Sequence, residues 1–158
     1  MGSATLLDRE RGFTLVEALV AMAIFTIGFS GLYFFFGISQ QVIADSEKRM
    51  YINLMGDRIV ETISAQAMRA STDPLNPFVN ASQYAGSLAN CASYNAGDER
   101  RAWCDDLNAN IGAFNAASGQ EIRQVDLVND GTGLIVNVSL VTGDGGVSAY
   151  FTRKLRKP

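Results

Sequence analysis

The stretch that decides the reading of this chain is Gly12-Phe13-Thr14-Leu15-Val16-Glu17-Ala18-Leu19-Val20-Ala21-Met22-Ala23-Ile24-Phe25. A polar leader ending Asp8-Arg9-Glu10-Arg11 meets an apolar run there, and one carboxylate sits just inside the run. From Phe13 to Ile38, 19 of 26 residues are hydrophobic and Glu17 carries the only charge. At about 1.5 Å per residue such a helix is about 39 Å long, enough to cross a hydrocarbon core of roughly 30 Å. A charge at the bilayer centre costs roughly 2.5–3.5 kcal/mol on insertion scales, and less near a helix end, so Glu17 calls for a partner. A cut between Gly12 and Phe13 would supply one, because the α-amine it creates is largely cationic at neutral pH.

Beyond Val42 the helical period continues. Ile52, Met55, Ile59 and Ile63 share one stripe, with Asn53, Asp57 and Glu61 opposite. Ser71-Thr72-Asp73-Pro74-Leu75-Asn76-Pro77 then stops the helix, because proline disfavours helix at the preceding residue and removes a donor. The pattern predicts a helix from Phe13 to about Ala70, half for lipid and half for protein. From Phe78 to Gln120 the chain is rich in Asn, Ser, Ala and Gly and reads as loop with one short helix. In that helix Asp98 is the N-cap, Trp103, Leu107 and Ile111 form the buried face, and Gly112 is the stop. The last third alternates with period two over Ile122–Val128, Leu134–Thr142 and Val147–Leu155. Asn129-Asp130-Gly131-Thr132-Gly133 and Gly143-Asp144-Gly145-Gly146 lie between these runs and predict hairpin turns in an antiparallel, three-strand meander. Neither the meander nor the outer helix stripe can bury its apolar face alone, so the two are expected to pack together.

The composition narrows the chemistry. Of 158 residues, 47% are hydrophobic and 18% charged, which excludes a disordered chain. The net charge of −3 gives no global footprint for nucleic acid. Histidine is absent and cysteines number 2, which removes Ser-His-Asp and Cys-His catalysis and the common zinc frameworks.

The junction Gly12-Phe13-Thr14-Leu15-Val16-Glu17 and the apolar residues after it resemble the class III signal of type IV pilins and pseudopilins. The continuation Ile27-Gly28-Phe29-Ser30-Gly31-Leu32, followed by the amphipathic half from Arg49 to Ala70, is most similar to PilV-type minor pilins. The resemblance is specific from Arg11 to about Leu32 and only architectural beyond it. It implies an α+β pilin-like fold, with a long N-terminal helix on a small antiparallel sheet and a short extra helix. Its division would be a leader (1–12), a transmembrane half-helix (13–42), an amphipathic half-helix (43–71) and a globular head (72–158). It further implies cleavage after Gly12 by prepilin peptidase, N-methylation of Phe13, and retention in the inner membrane with the head in the periplasm. Assembly at an inner-membrane platform with major and minor pilins then follows through the N-terminal helices, Glu17 pairing with the Phe13 amine of a neighbour. That pairing would neutralise both charges in an apolar bundle and set axial register. The leader departs from the usual basic pattern, since Asp8 and Glu10 offset Arg9 and Arg11.

Each feature also has a plainer explanation. The apolar run could be a signal anchor, or a secretory signal cut after Ala21-Met22-Ala23, but Phe34-Phe35-Phe36 would leave that cut with a strongly hydrophobic terminus. Glu17 could be a carboxylate snorkelling to the membrane surface. In an oxidising periplasm Cys91 and Cys104 read as a structural disulfide, contributing roughly 3 kcal/mol in the chain-entropy model. Arg153, Lys154, Arg156 and Lys157 read as a solvated strand end that discourages edge pairing, and a nucleic-acid contact there has no other support. Trp103 reads as core. Asp105, Asp106, Glu99 and Glu121 have no spacing that favours acid–base catalysis, and no loop has calcium-ligand spacing. The expectation is a non-enzymatic filament subunit without cofactor or metal. The alternatives are a minor pseudopilin of a type II secretion system and a single-pass membrane-anchored binding protein.

Overall fold

The computed structural model describes residues 14–157. Its elements are helix α1 (Leu15–Gln66), strand β1 (Gly86–Ser87), helix α2 (Glu99–Ile111) and strands β2 (Ile122–Asn129), β3 (Gly133–Val141) and β4 (Ser148–Arg156). The fold is α+β: a long, apolar N-terminal helix, a short second helix and a small antiparallel sheet. The chain divides into two compact units, Met1–Val42 and Ile43–Pro158, and α1 contributes to both.

In the described part of the first unit almost every side chain is exposed, including Leu15, Phe25, Ile27, Phe34 and Phe36. This stretch of α1 is long and apolar enough to cross a membrane. Its hydroxyls are satisfied within the helix, since Thr26 Oγ1 donates to the Met22 carbonyl at 2.7 Å and Ser30 Oγ to that of Thr26 at 2.8 Å. Such back-bonds let Ser and Thr face lipid without an orphaned donor.

The second unit is organised around the outer stripe of α1. Ile52, Met55, Ile59 and Ile63 are buried, as their spacing predicts, while Asn53, Asp57 and Glu61 face outward. The stripe packs with the inner face of the sheet, where Val125, Val138 and Phe151 form one cross-strand row. Gly56 sets the closeness of this packing, because a Cβ there would fall inside the Phe151 ring. Tyr84, Leu88, Trp103 and Leu107 complete the core, and burying each such side chain contributes about 1.5–3 kcal/mol.

The sheet has four strands rather than three, in the order β1-β2-β3-β4 with every pairing antiparallel. The extra strand is two residues long, Gly86 pairing with Val125 and Ser87 with Gln124. α1 also ends at Gln66, short of the expected Ala70. After it the chain tightens into turns, and the Asn76 amide nitrogen donates to the Arg69 carbonyl at 2.8 Å, taking up a backbone acceptor that further helix would have used. Asp98 caps α2 by accepting from the Arg100 N–H at 2.9 Å, and Gly112 follows the helix at φ 96°.

Candidate processing and assembly site

α1 begins at Leu15 because Thr14 caps it: Thr14 Oγ1 accepts from the backbone N–H of Glu17 at 3.2 Å. Glu17 is thereby the third residue of the helix, and Thr14-x-x-Glu17 has the spacing of a capping box. A carboxylate in the first turn also faces the positive end of the helix macrodipole. The sequence reading missed this local role of Glu17, although the Thr14-x-x-Glu17 spacing is visible in it. Gly12 and Phe13, the expected cleavage residues, lie outside the described residues.

Glu17 is exposed, in a stretch of α1 whose other side chains as far as Ile38 are exposed and mostly apolar. After Arg11 the next cation in the sequence is Lys48, more than eight helical turns further on. Removing the leader would delete Arg9 and Arg11 and leave the new α-amine as the one nearby cation in this chain. Among the described residues Glu17 has no ion pair, and the apolar side chains around it on α1 are exposed.

In the second unit Cys91 and Cys104 form a disulfide, tying the short turn Cys91–Ser93 to α2. Cys104 is buried, and the Asn108 amide donates to Cys91 Sγ at 3.0 Å. Trp103 is 1% exposed with its ring 6.5 Å from that of Tyr84, so it is a core residue. The acidic residues considered for catalysis do not converge. Asp106 pairs with Arg58 at 2.6 Å, Asp105 lies 3.8 Å from Arg101, Glu99 sits in the first turn of α2, and Glu121 pairs with Arg123. Among the described residues no group of three or more His, Cys, Asp or Glu is placed to hold a metal ion.

The Glu121–Arg123 pair escaped the sequence reading. Its side chains are 3% and 1% exposed. Arg123 also donates to Asn108 Oδ1 and to the Gly112 carbonyl, each at 2.7 Å, and Glu121 Oε2 accepts from the Asn115 N–H at 2.7 Å. The network ties the loop after α2 to the sheet. The signal for it was parity: Arg123 shares the inward face of β2 with Val125 and Leu127. A second clasp is Arg100, which binds Asp98 at 2.7 Å, stacks on Tyr94 at 4.4 Å and donates to the Ser82 and Ala85 carbonyls. The Arg100 hydrogen bond holds the Asp98 carboxyl below its usual range. At the β3–β4 turn the Thr142 hydroxyl, then the Gly146 N–H and Lys48, bring Asp144 down to about 2.

Residues 7–33 match the family model described as the prokaryotic N-terminal methylation motif. The match contains the junction Gly12-Phe13 and Glu17 and stops short of the second unit. No curated protein and no solved structure matches the chain. The motif indicates a type IV pilin-like or pseudopilin-like protein, a structural kind of protein. It implies processing by prepilin peptidase and pilin assembly, and with the apolar helix it suggests membrane anchoring.

Proposed function

We propose that this chain is a minor pilin of the PilV type, incorporated into a type IV pilus or priming its assembly. Prepilin peptidase removes residues 1–12 and Phe13 becomes the N-methylated terminus. Residues 13–42 anchor the chain in the inner membrane with the head, 72–158, in the periplasm. The observation that carries the reading is Glu17, exposed near the start of an apolar helix whose sequence offers no cation before Lys48. In a filament the Phe13 amine of a neighbouring subunit supplies the missing charge, and packed helices cover the apolar surface, where an unpaired carboxylate would be costly. Adhesion, motility or DNA uptake then follow from what the head displays.

A pseudopilin of a type II secretion system shares the same motif and the same pairing chemistry, and the two are separated by which filament carries the chain. The test is Glu17→Val in the native host, followed by fractionation of membranes and sheared filaments. The expected result is a chain retained in the inner membrane and missing from filaments. Incorporation equal to that of the unaltered chain would remove the pairing mechanism, and a chain found in no filament with either residue would favour a membrane-anchored binding protein.

A further inference from the structure

We infer that the free edge of β4 is a docking site for an extended acidic segment of another protein, which adds to the sheet as a further strand. β4 ends the sheet order and pairs on one side only, with β3. Thr142 donates its N–H to the Val147 carbonyl, which fixes the parity of the β3–β4 ladder. By the alternation of antiparallel pairing, Ala149, Phe151, Arg153 and Leu155 bond to β3, whereas Ser148, Tyr150, Thr152, Lys154 and Arg156 direct their N–H and C=O groups to the open edge.

Natural sheets close such an edge with a bulge, a proline, a very short strand or a covering element. β4 has none of the first three: its register runs unbroken from Gly133 opposite Arg156 to Val141 opposite Ser148. Beside it lies a groove in which Ala67, Met68 and Leu155 offer apolar surface and Arg153 and Arg156 offer charge, and Met68 is 85% exposed. The charges that β4 itself carries are all basic, while Asp57 and Glu61 of α1 line a second groove with Arg153. From Ser148 to the end of the sequence there is no acidic residue, and Arg153, Lys154, Arg156 and Lys157 are all exposed. Lys154 is paired with Asp130, whereas Arg153, Arg156 and Lys157 have no ion pair among the described residues. A basic edge repels a second copy of itself and accepts a strand carrying carboxylates, so the guard works as a selector. In this mode of recognition main-chain bonds supply the affinity and the alternate side chains the specificity. The inference rests on the second unit alone, and it stands or falls independently of processing at Gly12-Phe13.

The test uses the full chain in detergent micelles and a labelled peptide of about eight residues alternating valine and glutamate, read by fluorescence anisotropy and by amide hydrogen exchange. The expected result is binding that weakens with salt, with slowed exchange at the Tyr150, Thr152 and Lys154 amides. Arg153→Glu with Arg156→Glu should lower affinity at least about tenfold. Tyr150→Pro removes an outward donor without taking a bond from β3, and should abolish binding while the melting curve is kept. If that variant fails to fold, exchange in the unaltered chain decides. Unchanged exchange at saturating peptide overturns the inference, as does equal binding of a peptide of the same composition interrupted by proline. Preference for a single-stranded DNA oligonucleotide over the peptide overturns it too, and would make the edge a phosphate-binding surface.

Discussion

Two carboxylates in this chain show how far residue type alone can be read. Glu17 announces itself, because one charge in an apolar run is anomalous without any fold. Glu121 does not, because its importance comes from where the fold puts Arg123. That guanidinium is buried with a full set of acceptors, and removing its carboxylate leaves an uncompensated charge. Glu121→Ala should therefore destabilise the head by about 3–5 kcal/mol, whereas Glu61→Ala, on the exposed face of α1, should stay within about 0.5 kcal/mol. Thermal unfolding followed by circular dichroism distinguishes the two. Asp144 gives a pH signature. Its carboxyl falls to about 2, chiefly through the Thr142 hydroxyl, from an ordinary value of 3.8. A lowered value means the stabilisation is present above pH 3.8 and lost as pH falls toward 2. Asp144→Asn should flatten that part of the acid limb of a stability profile, by a small amount because the group is largely solvated.

At the scale of elements, periodicity told most of the story and tertiary pairing the remainder. α2 follows its reading from cap to stop, and the three long strands lie within a residue of theirs, because alternation and Asx-Gly turns are local signals. β1 was invisible for the opposite reason: Gly86 and Ser87 have no strand character and become a strand only by lying against β2. The end of α1 was overestimated because the competing donor for the Arg69 carbonyl, the Asn76 amide, comes from between the two prolines Pro74 and Pro77. Two element contacts make predictions. Gly56 lets α1 rest on the Phe151 ring, so Gly56→Leu should lower head stability by about 1–3 kcal/mol through overpacking, seen as a lower melting temperature. Reducing the Cys91–Cys104 bridge should cost about 2–4 kcal/mol and leave leader cleavage unaffected, which a melt with and without reductant and a mass measurement would show. An unchanged melt would mean that α2 is held by its core residues Trp103 and Leu107 alone.

For the molecule as a whole, the two units divide the labour that the sequence already partitions. The first exposes an apolar helix with one carboxylate and is suited to lipid and to other helices. The second buries its own core and leaves a basic sheet edge. The motif of the first was legible as a short contiguous stretch, whereas the open edge of the second was not, because a strand edge is defined by which neighbours it lacks. The central claim is that cleavage after Gly12 creates the charge that Glu17 needs. It is tested most directly by intact mass and N-terminal sequencing of the protein extracted from native membranes. The account predicts a chain that begins at N-methylated Phe13; a chain that keeps its leader, or one cut after Ala23, would contradict it.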